Sequence, residues 1–189
     1  FQKKLLWVNG LLPLCLLIID WNRENLGANP PEALIRTTGV IAIIFLLLSL
    51  SVTPISKKFK WSWLIKHRRW LGLWSFYYAL LHFFGYILFE KGMILTSIFL
   101  DIKKRPFILL GFLAFFFMIP FAISSSNYMI RALGAKKWQK LHKLNYLIAI
   151  FVVIHYWLIV KSDLFYPGMA GLFLLILLLY RLFFYVQKK

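Results

Sequence analysis

A chain of 189 residues in which 61% are hydrophobic and 15% are charged is not composed like a soluble domain, which is about half apolar and about a quarter charged. The net charge of +17 would suit a nucleic-acid partner, but the basic residues sit at the ends of long apolar blocks, and this argues for a membrane topology instead. The single cysteine, Cys15, excludes an intrachain disulfide or a thiolate metal cage and reads as a packing residue.

Six apolar blocks follow one another, at residues 5–19, 37–52, 71–89, 107–123, 144–160 and 169–184. Each is near the length that crosses a bilayer core. None alternates like a barrel strand, so each is expected to be a helix, because lipid offers no partner to unpaired backbone groups. The first block is interrupted only by Asn9, Gly10 and Pro13. Asn29-Pro30-Pro31 reads as a turn or extended entry into the second, and Thr53-Pro54 as its end. Pro120 is expected to kink the fourth near its cytoplasmic end. Tyr166-Pro167-Gly168 reads as a tight outer turn before the sixth. The longest loops, at 20–36, 53–70, 90–106 and 124–143, are too short to build a core of their own. The expected architecture is all-α, one six-span membrane domain over 1–189, without a dinucleotide fingerprint, a P-loop or an internal repeat.

Charge orients the spans. With the N-terminus inside, the inner segments hold sixteen of the 23 basic residues, including Lys57, Arg68, Arg69, Arg131, Lys136, Arg181, Lys188 and Lys189. This division follows the positive-inside rule and places both termini on the cytoplasmic side. All six acidic residues, Asp20, Glu24, Glu32, Glu90, Asp101 and Asp163, fall outside. Trp61, Trp63, Trp70, Trp138, Tyr156, Trp157 and Tyr166 fit interfacial aromatic belts.

The histidines carry the chemistry. Ionisable side chains inside spans are functional candidates by default. His82 lies about 16 Å from Leu71 and His155 about 21 Å from Leu141, taken as the inner starts of their helices. Both belong to the outer half, on helices that run in the same direction, as two axial ligands of one haem iron would. Ser75, Ala79 and Gly85 beside His82 are small enough for a flat macrocycle or for plain helix packing. His142 precedes His155 by thirteen residues, points about 140° away on an ideal helix and lies at the inner edge. It suits a second haem, a flavin, a quinone or a propionate. His67, in the basic loop, reads as solvated or lipid-facing.

In order along the chain stand Arg68-Arg69-Trp70-Leu71-Gly72-Leu73-Trp74-Ser75-Phe76, Leu81-His82, Arg105-Pro106-Phe107, Pro120-Phe121-Ala122-Ile123-Ser124-Ser125, Arg131-Ala132-Leu133-Gly134, Trp138, Leu141-His142-Lys143-Leu144-Asn145-Tyr146 and His155-Tyr156-Trp157. This series resembles the MsrQ (YedZ) family of ferric-reductase-like membrane proteins over nearly the whole chain. Ser124-Ser125 departs from an expected Thr-Ser pair. The resemblance implies a bacterial inner-membrane electron carrier without substrate catalysis of its own. Its cofactors would be haem b, one or two, with His82, His142 and His155 as the haem-associated residues, and FMN. Electrons would come from the quinone pool or a cytosolic flavin reductase. They would pass to MsrP, a periplasmic molybdopterin enzyme that reduces methionine sulfoxide in oxidised proteins. On this reading Arg68, Arg69 and Arg131 are candidates for a flavin or quinone, and Lys104, Arg105 and Lys161 for haem propionates.

Two rivals make different predictions. A ferric or other metal reductase subunit of the same superfamily would reduce external chelates without MsrP. A non-haem membrane protein with packing histidines would purify colourless.

Overall fold

Helices make up the regular structure of the computed structural model, which describes residues 2–187. Lys188 and Lys189, assigned above to the inner side, lie outside the described residues. In chain order the elements are α1 (Gln2–Asn22), α2 (Pro30–Phe59), a 3-10 turn (Ser62–His67), α3 (Arg68–Gly85), a π turn (Tyr86–Glu90), α4 (Leu95–Lys104), α5 (Pro106–Ser124), α6 (Asn127–Lys143), α7 (Asn145–Ile159) and α8 (Phe165–Val186). Five helical stretches are long and apolar enough to cross a membrane: Pro30–Phe59, Ser62–Glu90, Pro106–Ser124, Asn127–Ile159 and Phe165–Phe184. The apolar part of α1, Trp7–Asn22, is shorter. The chain is a multi-pass membrane protein.

The core centres on α2. Ile43, Leu46, Leu47 and Leu50 of that helix meet Ala114 and Met118 of α5, Ile148 and Ala149 of α7, and Leu174 and Leu177 of α8. Large apolar side chains such as Ile44, Phe84, Phe116, Leu158 and Leu172 are exposed, which for a membrane protein is the lipid-facing surface.

α1 packs on α3 through Trp7 against Trp70 and Trp74 and is bonded to it by one hydroxyl. Tyr78 is fully buried. Its OH donates to the Gly10 carbonyl at 2.7 Å and accepts the Leu14 N–H at 3.1 Å. Those two backbone groups would otherwise pair with each other, so the hydroxyl is inserted into the helix ladder, next to Pro13.

Several sequence expectations change. Asn29-Pro30-Pro31 starts a helix directly: Pro30 occupies its first position and the Asn29 side chain caps the Glu32 N–H, the place where a proline's missing N–H matters least. Thr53-Pro54 does not end α2, which continues to Phe59. Pro54 has no N–H for the Leu50 carbonyl, and Arg181 Nη2 donates to that carbonyl instead, at 2.6 Å. Tyr166-Pro167-Gly168 is the first turn of α8 rather than a separate turn, since proline is tolerated there. The expected loops at 90–106 and 124–143 contain α4 and α6. α6 breaks at Gly134 (φ 72°, ψ 155°), a backbone region that is essentially glycine-only. His67 is covered, 7% exposed and edge-on to Trp63, instead of solvated. Cys15 is exposed rather than packed.

α4 has one apolar face, exposing Leu95, Phe99 and Leu100, as a helix lying in the membrane interface does. Its other face carries Asp101, which is buried. Asp101 accepts from the Tyr86 hydroxyl at 2.7 Å and pairs with Lys91 Nζ at 2.7 Å and Arg105 Nε at 3.2 Å. Burial alone would raise its pKa, but the hydrogen bonds from Lys91 and Tyr86 and the charges of Lys91 and Arg105 hold it below the usual carboxylate range. A depressed folded-state pKa stabilises fully above the unfolded value of about 3.9 and loses that contribution as pH falls through the folded value. Asp101→Asn is therefore expected to lower the melting temperature at neutral pH and to flatten the loss that sets in as pH falls below about 4. Thermal unfolding across that range checks both.

Candidate functional site

His82 stands on a stripe of α3, with Ser75, Tyr78 and Gly85, that faces α2. The Ser75 hydroxyl donates to the Ala42 carbonyl at 2.9 Å, and Gly85 lies against Ile35 and Leu34. These small residues therefore seat α3 on α2. His155 continues the stripe of α7 that begins at Ile148, a residue with no exposed surface.

The two stripes bring the imidazoles together. Their ring centroids are 6.2 Å apart and their planes cross at 82°. His82 Nδ1 lies 2.8 Å from the Ile35 carbonyl of α2, and His155 Nδ1 lies 2.6 Å from the Phe107 carbonyl of α5. A carbonyl cannot donate, so each Nδ1 carries a proton, and in the neutral imidazole each Nε2 then keeps its lone pair. Among the described residues neither Nε2 has a hydrogen-bond partner.

The donor set suits one metal centre between two neutral imidazoles. Backbone acceptors at Nδ1 are what orient metal-bound histidines and raise their basicity. With no group of three or more His, Cys, Asp or Glu side chains among the described residues, a bare cation has too few ligands here. A macrocycle that brings its own four nitrogens needs only these two.

His142 is elsewhere. It stacks on Trp138 with centroids 3.9 Å apart, meets Phe121 edge-on at 5.0 Å and donates from Nδ1 to the Trp138 carbonyl at 3.0 Å. Neither His82 nor His155 makes a ring contact with it. The arginines are partly gathered. Arg69 donates to Asn127 Oδ1 at 2.6 Å, one turn from the exposed Arg131 on α6. Arg68 turns toward Thr53 at 3.4 Å instead. Of the outer cations, Arg105 is paired with Asp101, while Lys104 and Lys161 are exposed.

Three contributors escaped the sequence reading. The carbonyls of Ile35 and Phe107 belong to the backbone and leave no residue signal. Arg181 was legible only as an inner-side charge, although its guanidinium lies over the Tyr146 ring at 4.6 Å and bonds the Tyr146 hydroxyl.

The profile of a family described as "Ferric reductase like transmembrane component" matches residues 38–160. That stretch includes α3, α5, α7 and both facing histidines. Three relatives carry the name protein-methionine-sulfoxide reductase heme-binding subunit MsrQ. The one from Herminiimonas arsenicoxydans is 41% identical over 99% of this chain and 87% of its own length. The one from Azospira oryzae is 42% identical over 95% and 77%, and the one from Rhodospirillum rubrum 40% identical over 85% and 81%. Identity at this level over nearly the full length, together with the transmembrane match, means that the chain belongs to the MsrQ family of ferric-reductase-like membrane proteins.

Proposed function

We propose that this protein carries electrons across the bacterial inner membrane through b-type haem held by His82 and His155, and delivers them to a periplasmic molybdopterin methionine sulfoxide reductase of the MsrP kind. The observation that carries this reading is the pair of Nδ1-tethered imidazoles, 6.2 Å apart with unpartnered Nε2 atoms. Haem there supplies a one-electron ferric/ferrous couple. The protein's part is to fix both rings, to keep each Nδ1 protonated and to surround the pair with apolar side chains that exclude water. A histidine serving only to pack would be served by one carbonyl bond. Two such histidines in ring contact, each tethered only through Nδ1 among the described residues, are better explained by ligation than by packing.

Topology completes the reading. On this reading α1 is a sixth span, both termini lie inside, and His82 and His155 lie in the outer half near the acceptor. The inner face carries Arg68, Arg69 and Arg131 and is cationic enough to hold the phosphate of FMN or to dock a flavin reductase. His142 and Trp138 lie on the same side and offer a stacking surface or a ligand for a second, inner haem. A quinol is the alternative donor. An almost wholly apolar groove of about 520 Å³ between α1, α2 and α3, lined by Leu14, Trp21, Thr38 and Gly85 among others, reaches the turn of α2 that holds His82.

The test is electron transfer in proteoliposomes that contain the holoprotein. A quinol in the bilayer, or NADH with a flavin reductase on the inner side, is supplied as donor, and an MsrP-type enzyme with a methionine sulfoxide substrate on the outer side. Substrate reduction that depends on the protein is expected. Reduction of an external ferric chelate without any transfer to the molybdoenzyme would instead identify a metal reductase subunit.

A further inference from the structure

The two histidines are seated in the same way on opposite sides of the gap. Each Nδ1 donates to a carbonyl near the start of a neighbouring helix, and the residue four positions after that carbonyl is a glycine. For His82 the pair is Ile35 and Gly39 of α2; for His155 it is Phe107 and Gly111 of α5. A Cβ placed on Gly39 would lie 2.9 Å from His82 Nδ1 and 3.0 Å from Cε1. A Cβ on Gly111 would lie 2.7 Å from His155 Cε1, 2.9 Å from Nδ1 and 3.1 Å from Nε2. Ordinary carbon contacts are about 3.5–4.0 Å. Each ring therefore lies against a bare stretch of helix, tethered one turn away by its own hydrogen bond. It cannot retreat from a methyl group without stretching or turning that bond. Gly10 and Gly85 are also tightly covered, by Trp74 and by Ile35, but neither faces a histidine ring; Gly72 and Gly171 have room to spare. A Cβ on Gly72 would meet only Ser49 Oγ, at 3.5 Å, and one on Gly171 would meet Val153 at 3.6 Å and Trp157 at 3.8 Å.

We infer that Gly39 and Gly111 are positioning residues which, with the carbonyls of Ile35 and Phe107, fix the planes of the two axial imidazoles nearly perpendicular. The inference rests on the haem reading proposed above. Its consequence is electronic. When two axial imidazole planes are crossed, their π interactions with the iron are shared evenly between two d orbitals. Those orbitals then stay close in energy, and a low-spin ferric centre gives a strongly anisotropic EPR spectrum. Parallel planes separate the orbitals and give a rhombic spectrum. Ring orientation and the Nδ1 bond also set ligand basicity, and with it the reduction potential.

The experiment uses purified holoprotein, with a reduced-minus-oxidised absorbance spectrum, low-temperature EPR of the ferric form and a redox titration. The wild type is expected to give the strongly anisotropic signal. Gly39→Ala and Gly111→Ala are each expected to move the EPR signal and the midpoint potential, or to lose the haem, in protein that remains monodisperse and helical. Gly72→Ala and Gly171→Ala are expected to leave spectrum, EPR and potential as in the wild type. A rhombic wild-type signal, or unchanged EPR and potential in both Gly39→Ala and Gly111→Ala, would overturn the inference while leaving the haem reading intact. Folded but colourless wild-type protein would overturn the haem reading itself.

Discussion

His82→Ala and His155→Ala are each expected to abolish the b-type α-band assigned to the outer site. Either substitution leaves one imidazole, and among the described residues no third His, Cys, Asp or Glu joins the pair to replace it. The next histidine, His142, is engaged with Trp138 and Phe121. The loss is expected to be complete, because a tethered imidazole on one side cannot hold a low-spin centre that needs both axial positions. His142→Ala is expected to leave this band in place. Any haem it does remove would report a separate, inner site. A dithionite-reduced minus oxidised spectrum of the wild type and the three variants reads all of this, with size-exclusion profiles to establish folding. Equal loss of haem in all three would mean that His142 belongs to the same site, and the pairing of His82 with His155 would fail.

Arg181→Leu is expected to be the largest stability effect away from the histidines. Arg181 Nη2 supplies the hydrogen bond that Pro54 withholds from the Leu50 carbonyl. Leu50 itself is 1% exposed, so that carbonyl has no route to water. An unsatisfied buried carbonyl costs about 1–3 kcal/mol, or about 2–4 °C in melting temperature per kcal/mol for a chain of this size. Relief of the cost of burying a guanidinium offsets part of it. A double-mutant cycle isolates the mechanism. In a Pro54→Ala background the backbone N–H of residue 54 returns and serves Leu50, so Arg181→Leu should cost markedly less there. Additive effects of the two changes would show that Arg181 acts through something other than the proline-freed carbonyl.

How much of the site could be read in advance depends on the kind of group. His82 and His155 were legible because an imidazole inside an apolar block is rare and because depth along a helix follows from counting residues at a fixed rise. Their glycine seats were not. Gly39 and Gly111 are single glycines in apolar helices, a pattern that also marks ordinary helix packing. Only the partner helix distinguishes the two uses, since Gly39 faces an imidazole and Gly171 faces Val153 and Trp157. The arginines show the same limit. Arg68 and Arg69 are adjacent in sequence, yet one turns to Thr53 and the other to Asn127.

The sequence by itself determined the helical class, the multi-pass membrane character and the family, and its charge bias is what the expected orientation rests on. The helical class and the membrane character follow from local composition and periodicity, which the bilayer reads directly; the family follows from the ordered motifs around the histidines. Tertiary structure decided where prolines end helices and where they do not, that the segments at 90–106 and 124–143 hold helices, that Asp101 is buried in a cationic knot, and that two imidazoles meet at crossed planes. Those outcomes depend on which distant group satisfies a backbone carbonyl or fills the space beside a glycine. That is settled only when the helices pack.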